Sequence, residues 1–285
     1  MWFLFSLMCA VSLSVSDLLS KIALRNADIY LVSWVKFSLA FLFLFPVVFF
    51  IPVPALSLYF LKICLILFPL EILALLLYMK AIQVSPLSLT VPFLALTPIF
   101  LIITSYFFLN ERLDGSGLLG VLLIAIGSYM LNIDKATSGF FKPLKAILEE
   151  KGSWIMILVA AIYSITSNLG KMAIQETGPV FFALFQSGIM TLLLLPFPLI
   201  LSKRPVKQIK EQIGIFILIG ISMAFMVLFH MMAIIRIEVA YMISIKRTSP
   251  IFSVFFGYWF LHEKNFSERA IGSTIMFLGV LLILL

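Results

Sequence analysis

Ten stretches of mostly apolar residues, each about the length of a membrane-crossing helix, fill this chain at roughly 2–24, 30–52, 58–81, 85–109, 115–132, 153–175, 180–201, 212–235, 238–261 and 268–285. At 1.5 Å of rise per residue, about 20 such residues cross the ~30 Å hydrocarbon core of a bilayer. A membrane barrel would show alternating segments of about ten residues instead. The pattern predicts an all-α integral membrane protein with ten transmembrane helices. The longest polar connection runs only over 133–152, which leaves no room for a large soluble domain. The opening "MWFLFSLMCA" lacks the basic start of a cleavable signal and runs straight into the first span.

The rest of the composition removes other classes. Hydrophobic residues make up 63% of the chain and charged ones 12%, whereas soluble domains carry roughly a quarter charged residues. The net charge of +7 is scattered among short loops, so nucleic acid is not an expected partner; the lipid bilayer is. Cys9 and Cys64 both lie in apolar runs without histidine neighbours, which predicts buried cysteines and no metal site. "GSGLLG" at 115–120 fits a dinucleotide fingerprint, but it opens a membrane helix rather than a βαβ turn, so it reads as small-residue helix packing. No H-E-x-x-H, G-x-S-x-G or phosphate loop occurs. Neither an enzyme nor a cofactor is expected, and the sequence offers no ATP site.

The chain repeats itself. An offset of 152 pairs Pro98 with Pro250, Tyr106 with Tyr258, Glu111 with Glu263, Gly120 with Gly272, and Gly127 with Gly279. Near the two starts the offset is 150, pairing Lys21 with Lys171 and Ala23 with Ala173. Five helices per copy is an odd number, so the second copy enters the membrane the opposite way round. We therefore expect one five-helix repeat over 1–132, a linker over 133–152, and a second repeat over 153–285. Inverted-topology repeats are a recurring design of secondary transporters, whose substrate sites lie near the midplane between the copies. Cations crowd the loops after odd-numbered helices (Lys21, Arg25, Lys80, Lys203, Arg204 among them). Lys62, Arg112, Lys171 and Arg236 follow even-numbered ones. The positive-inside rule then puts both termini outside the cell.

The doubled "PIF…Y.F…E" blocks, with "LNERL" at 109–113 and "LHEKN" at 261–265, resemble the drug/metabolite transporter superfamily in its ten-helix EamA-like form. The resemblance covers nearly the whole chain and is unspecific for substrate. "IKR" at 245–247 resembles the narrower triose-phosphate and nucleotide-sugar branch, in which a matching Lys-Arg pair holds the substrate's phosphate. That branch implies cytoplasmic termini, against the charge count. The first-half counterpart of the pair is Leu94-Ala95, so the cations are an addition to one copy.

Lys246 and Arg247 are the residues that most need explaining. A charge at the bilayer centre costs about 2.5–3.5 kcal/mol on insertion scales, and such residues face a bundle interior or a watery cavity. Adjacent helical positions lie about 100° apart, so the two can share one wall. Pro250 has no N–H to bond the Lys246 carbonyl, which predicts a kink at the pair. Arg offers a planar fork to phosphate or carboxylate and Lys a point charge, which together suit a dianionic head group. The bland alternative is a structural salt bridge to one of two acids within spans, Asp17 and Glu71.

Other polar residues carry weaker expectations. Lys36 touches substrate or snorkels to the interface; its repeat partner is Gln186. Asp17 has Lys21 four residues on, a favourable local pair, and is otherwise a coupling candidate. Glu71 lies deeper, without a local partner, and either pairs with a cation or titrates as a proton site. His230 aligns with Tyr78, which suggests both line a cavity; the bland reading of the histidine is a hydrogen-bonded core residue. Tyr241, Tyr163, Asn168 and Trp34 line a sugar or organic moiety or anchor the interface. Pro98 and Pro250 are gating candidates in the fourth and ninth helices.

The reading is a carrier of a small organic anion, phosphorylated in the leading version, working by alternating access and exchange, as a monomer or homodimer in the cell (inner) membrane. Its alternatives are an exporter of amino acids, amines or drug-like metabolites, and a lipid-phosphate flippase or noncatalytic membrane partner.

Overall fold

In hydrocarbon an unpartnered backbone N–H or C=O is costly, so each apolar run has to close its hydrogen bonds within itself, as a helix. The computed structural model describes residues 1–84, 91–131, 151–249, 251–252 and 266–285. Its helices are α1 (Trp2–Ala23), α2 (Ile29–Leu44, continued by a 3-10 segment Phe45–Phe50), α3 (Leu58–Val84), α4 (Leu96–Leu109, preceded by a 3-10 segment Val91–Ala95) and α5 (Gly115–Leu131). The second half supplies α6 (Lys151–Thr177), α7 (Pro179–Leu194, continued by Pro196–Leu201), α8 (Pro205–Ile234), α9 (Val239–Lys246) and α10 (Phe266–Leu284). The secondary structure of the described residues is all helical, as expected, and six of these stretches are long and apolar enough to cross a membrane: Trp2–Ala23, Ile29–Phe50, Leu58–Ala81, Lys151–Thr177, Pro179–Leu201 and Pro205–Ile234.

Large apolar side chains face outward, as lipid as a solvent allows. On α3, Leu61, Leu65, Ile66 and Leu73 are exposed while Phe60, Leu67, Phe68 and Ala74 are buried. Cys9 and Cys64 are both buried.

Two expectations shift in detail. The eighth helix begins at Pro205 rather than near 212; proline is well suited to a first helical position. The expected edge survives as a backbone break at Gln212 (φ −123°, ψ 20°). The ninth helix, expected over 238–261 with a kink at the cation pair, runs over Val239–Lys246, breaks at Arg247 and Thr248, and is helical again at Ser249, Ile251 and Phe252. Pro250, the linker 133–152 apart from 151 and 152, and the "LHEKN" motif lie outside the described residues.

The chain divides into two compact units that do not follow the two repeats. The first joins 1–76 to 169–236, and the second joins 77–168 to 237–285. In the first, Ala23, Ala27, Leu31, Val32, Val35, Phe216 and Ile219 make a core of α1, α2 and α8. A β-carbon at Gly220 would lie 2.3 Å from Leu39 Cβ, so glycine is what lets α8 reach α2 so closely. Asp28 caps α2 by accepting from the Leu31 N–H at 2.9 Å and takes a second hydrogen bond from the Ser202 hydroxyl at 2.6 Å.

In the second unit α5 and α10 cross through glycine. A β-carbon at Gly120 would meet the Gly279 carbonyl oxygen at 2.6 Å, and one at Gly127 would meet the Gly272 carbonyl oxygen at 2.7 Å. The two helices therefore run antiparallel. The repeat offset carries Gly120 onto Gly272 and Gly127 onto Gly279, so it converts one contact into the other. This reciprocity is the inverted repeat expressed as packing.

Candidate functional site

In the second unit the chemistry gathers where α9 stops. Arg247 adopts φ −74°, ψ 2°, and its N–H bonds the Ile243 carbonyl at 2.9 Å. The Ile245 carbonyl takes both the Thr248 N–H at 3.0 Å and the Thr248 hydroxyl at 2.7 Å. The kink expected at the cation pair is a two-residue break in the helix, and the negative end of the α9 dipole favours cations there. The Arg247 guanidinium donates to the Thr97 hydroxyl at 3.2 Å and lies 5.9 Å from the Tyr163 ring centroid. Thr97 is fully buried in the first turn of α4. The first copy is interrupted at the equivalent place: its 3-10 segment ends at Ala95, the repeat partner of Arg247, and α4 follows.

Further along α4, Asn168 of α6 is tied in three ways. Its carbonyl accepts from Ser105 Oγ at 2.9 Å, and its amide donates to Thr104 Oγ1 and the Ser164 carbonyl, each at 3.0 Å. Tyr78 and Tyr163 pack on one cluster with Ala81, Phe93, Leu94, Met156 and Val159. Pro98 is buried in the first turn of α4. Lys246 and Arg247 are both half-buried.

Tyr241, expected beside substrate, directs its hydroxyl to Asp114 Oδ1 at 3.0 Å and lies over Gly117. Asp114 also accepts from the Gly117 N–H at 2.7 Å. That amide and then the tyrosine hydroxyl hold the Asp114 carboxyl below its ordinary range.

The first unit holds a different polar set. Lys36 Nζ lies 3.2 Å from Asp17 Oδ1, with the lysine buried and the acid side chain 37% exposed. Asp17 thus has a partner on α2 rather than the Lys21 that sequence spacing suggested, because a buried ammonium gains more from a carboxylate than an exposed one does. A buried Lys36 does not snorkel. Gln186, its repeat partner, donates to Glu71 Oε2 at 2.5 Å and is itself buried. His230 is half-buried on α8.

Three residues escaped the sequence reading. Lys171 lies within the expected sixth span, 153–175, and α6 buries it; grouping it with the cations of the following loop gave no sign of that depth. Thr97 had a signal, the hydroxyl-proline doublet that recurs as Thr97-Pro98 and Ser249-Pro250. Asp114 had none beyond its place before the glycines.

The sequence matches the EamA-like transporter family over residues 1–133 and 150–285. It is 24% identical over 218 residues to an uncharacterized transporter of Archaeoglobus fulgidus, a match spanning 73% of this chain and 70% of that protein. One solved crystal structure is similar with a TM-score of 0.72 at 15% identity, covering 99% of this chain and 95% of its own, a likeness of fold alone.

Proposed function

Because this chain belongs to the EamA-like transporter family, and is therefore a multi-pass membrane transporter and not an enzyme, we propose that its cargo is a small organic anion, with phosphorylated metabolites first. The carrier works by alternating access, the two inverted repeats exchanging roles. Lys246 and Arg247 neutralise the anionic head group: Arg247 through its fork, Lys246 as a point charge. The observation that supports this most is the place of Arg247 at the end of α9, with its guanidinium donating to the Thr97 hydroxyl and lying over the Tyr163 ring. A vacated cation pair within a membrane is costly, so the empty carrier reorients slowly and exchange is favoured. The likeness to the triose-phosphate and nucleotide-sugar branch rests on Lys246-Arg247 alone. Tyr78 and Tyr163 supply apolar faces for the organic part.

Uptake into reconstituted vesicles tests the reading. Labelled inorganic phosphate or a sugar phosphate should enter vesicles preloaded with the same compound, enter empty vesicles at least about tenfold more slowly, and not enter through Lys246→Ala, Arg247→Ala protein. Equal uptake by the double variant contradicts the site; equal uptake by empty vesicles contradicts exchange.

A further inference from the structure

The position of Arg247 is set from the other end of its helix. α9 has eight residues, so it is a rod about 12 Å long whose far end carries the cation pair. The residue before it, Glu238, makes no side-chain cap. The cap comes instead from the loop between α4 and α5: Glu111 Oε2 accepts the N–H of Val239, the first residue of α9, at 2.8 Å. Two residues on, the Tyr241 hydroxyl donates to Asp114 Oδ1 at 3.0 Å. A β-carbon at Gly117 would lie 1.9 Å from that hydroxyl, so the ring seats directly on α5. The loop is shaped for this. Asn110 ends α4 in the left-handed region (φ 53°), with its N–H bonded to the Tyr106 carbonyl at 3.0 Å and the Glu111 N–H to the Ser105 carbonyl at 3.3 Å. At its opposite end α9 meets Thr97 through Arg247. The short helix is therefore fastened at both ends to the α4–α5 hairpin.

We infer that Glu111, Asp114 and Tyr241 are positioning residues that clamp the start of α9 and thereby fix Lys246 and Arg247 for the anion. This inference rests on the proposed anion site for its purpose, and on the geometry of the clamp for its mechanism. It also gives Tyr241 a role other than lining the substrate.

Two measurements on the full-length protein in detergent separate the clamp from the anion reading. The first is hydrogen exchange of the α9 amides in wild type, Glu111→Ala, Glu111→Gln and Tyr241→Phe. A helix cap changes an opening equilibrium roughly 2- to 30-fold. The expected result is that factor of faster exchange in Glu111→Ala across all of α9, through residues 244–247. Glu111→Gln, which keeps an acceptor for the Val239 N–H, should stay within about twofold of wild type, and α5 beyond Gly120 should be unchanged in every variant. Acceleration confined to 239–242, or no rescue by glutamine, overturns the clamp. The second is the thermal shift produced by inorganic phosphate. Wild type should shift, Arg247→Ala should not, and Glu111→Ala should need about tenfold more phosphate for half the shift. If Arg247→Ala shifts like wild type while exchange spreads along α9, the anion reading fails and the clamp stands. A normal phosphate response in Glu111→Ala alongside a lost one in Arg247→Ala refutes the positioning role.

Discussion

Gly120 and Gly279 face each other so closely that a β-carbon on the first would meet the carbonyl of the second at 2.6 Å, and one on the second would meet the carbonyl of the first at 2.7 Å. Membrane helices gain little from hiding apolar surface, since lipid is apolar too, and associate through close packing. Alanine at either position must push backbone apart. Gly120→Ala and Gly279→Ala should each cost about 1–3 kcal/mol, the usual penalty of overpacking. Gly115→Ala, with nothing within 4 Å, is the control and should unfold like wild type in a detergent thermal melt.

The Lys36–Asp17 pair makes a second prediction. Asp17→Asn leaves a buried ammonium without its carboxylate. Removing one partner of a fully buried pair costs roughly 3–5 kcal/mol; with the Asp17 side chain 37% exposed, about 1–3 kcal/mol is expected. Combining Asp17→Asn with Lys36→Met should recover most of the loss, and a double-mutant cycle by thermal or urea unfolding measures the coupling.

Asn168 ties α6 to Thr104 and Ser105 of α4. Asn168→Leu strands two hydroxyls in a buried setting. Interhelical hydrogen bonds in membranes are worth about 0.6–2 kcal/mol each, so a loss of about 1–3 kcal/mol is expected, with Asn168→Asp failing to restore it because a carboxylate cannot donate to the Ser164 carbonyl and is costly to bury.

Acid should loosen the α4–α5 loop through Asp114. Its carboxyl titrates lower in the folded protein than its ordinary 3.8, because the Gly117 amide and the Tyr241 hydroxyl bond the charged form. A lowered folded value stabilises fully above the unfolded one and loses that stabilisation as pH falls through the folded value. A melt series below about pH 4 should therefore show a steeper decline for wild type than for Asp114→Asn.

The helical class, the repeat and the transporter identity were legible because they rest on length and periodicity. Ten apolar runs and an odd count per copy leave few alternatives, and Gly120 with Gly272 and Gly127 with Gly279 already stood at matching places. Contacts between distant segments were not legible. Asp17 has Lys21 a turn away in sequence, yet its partner is Lys36, since burial rather than spacing decides which ammonium most needs a carboxylate. Glu71 lacks a neighbour in sequence and finds Gln186, 115 residues on. Lys171 reads as a loop-side cation because a lysine near the end of an apolar run looks the same in sequence whether its helix face meets solvent or protein.

The direct test is ligand-induced thermal stabilisation of purified protein, run in wild type and in Lys246→Ala, Arg247→Ala protein against phosphate esters, amino acids and amines. Phosphate esters should raise the melting temperature of wild type alone, while amines move neither protein. Equal stabilisation of both proteins by phosphate esters, or stabilisation of wild type by amines only, would contradict a basic seat for an anion at the end of α9.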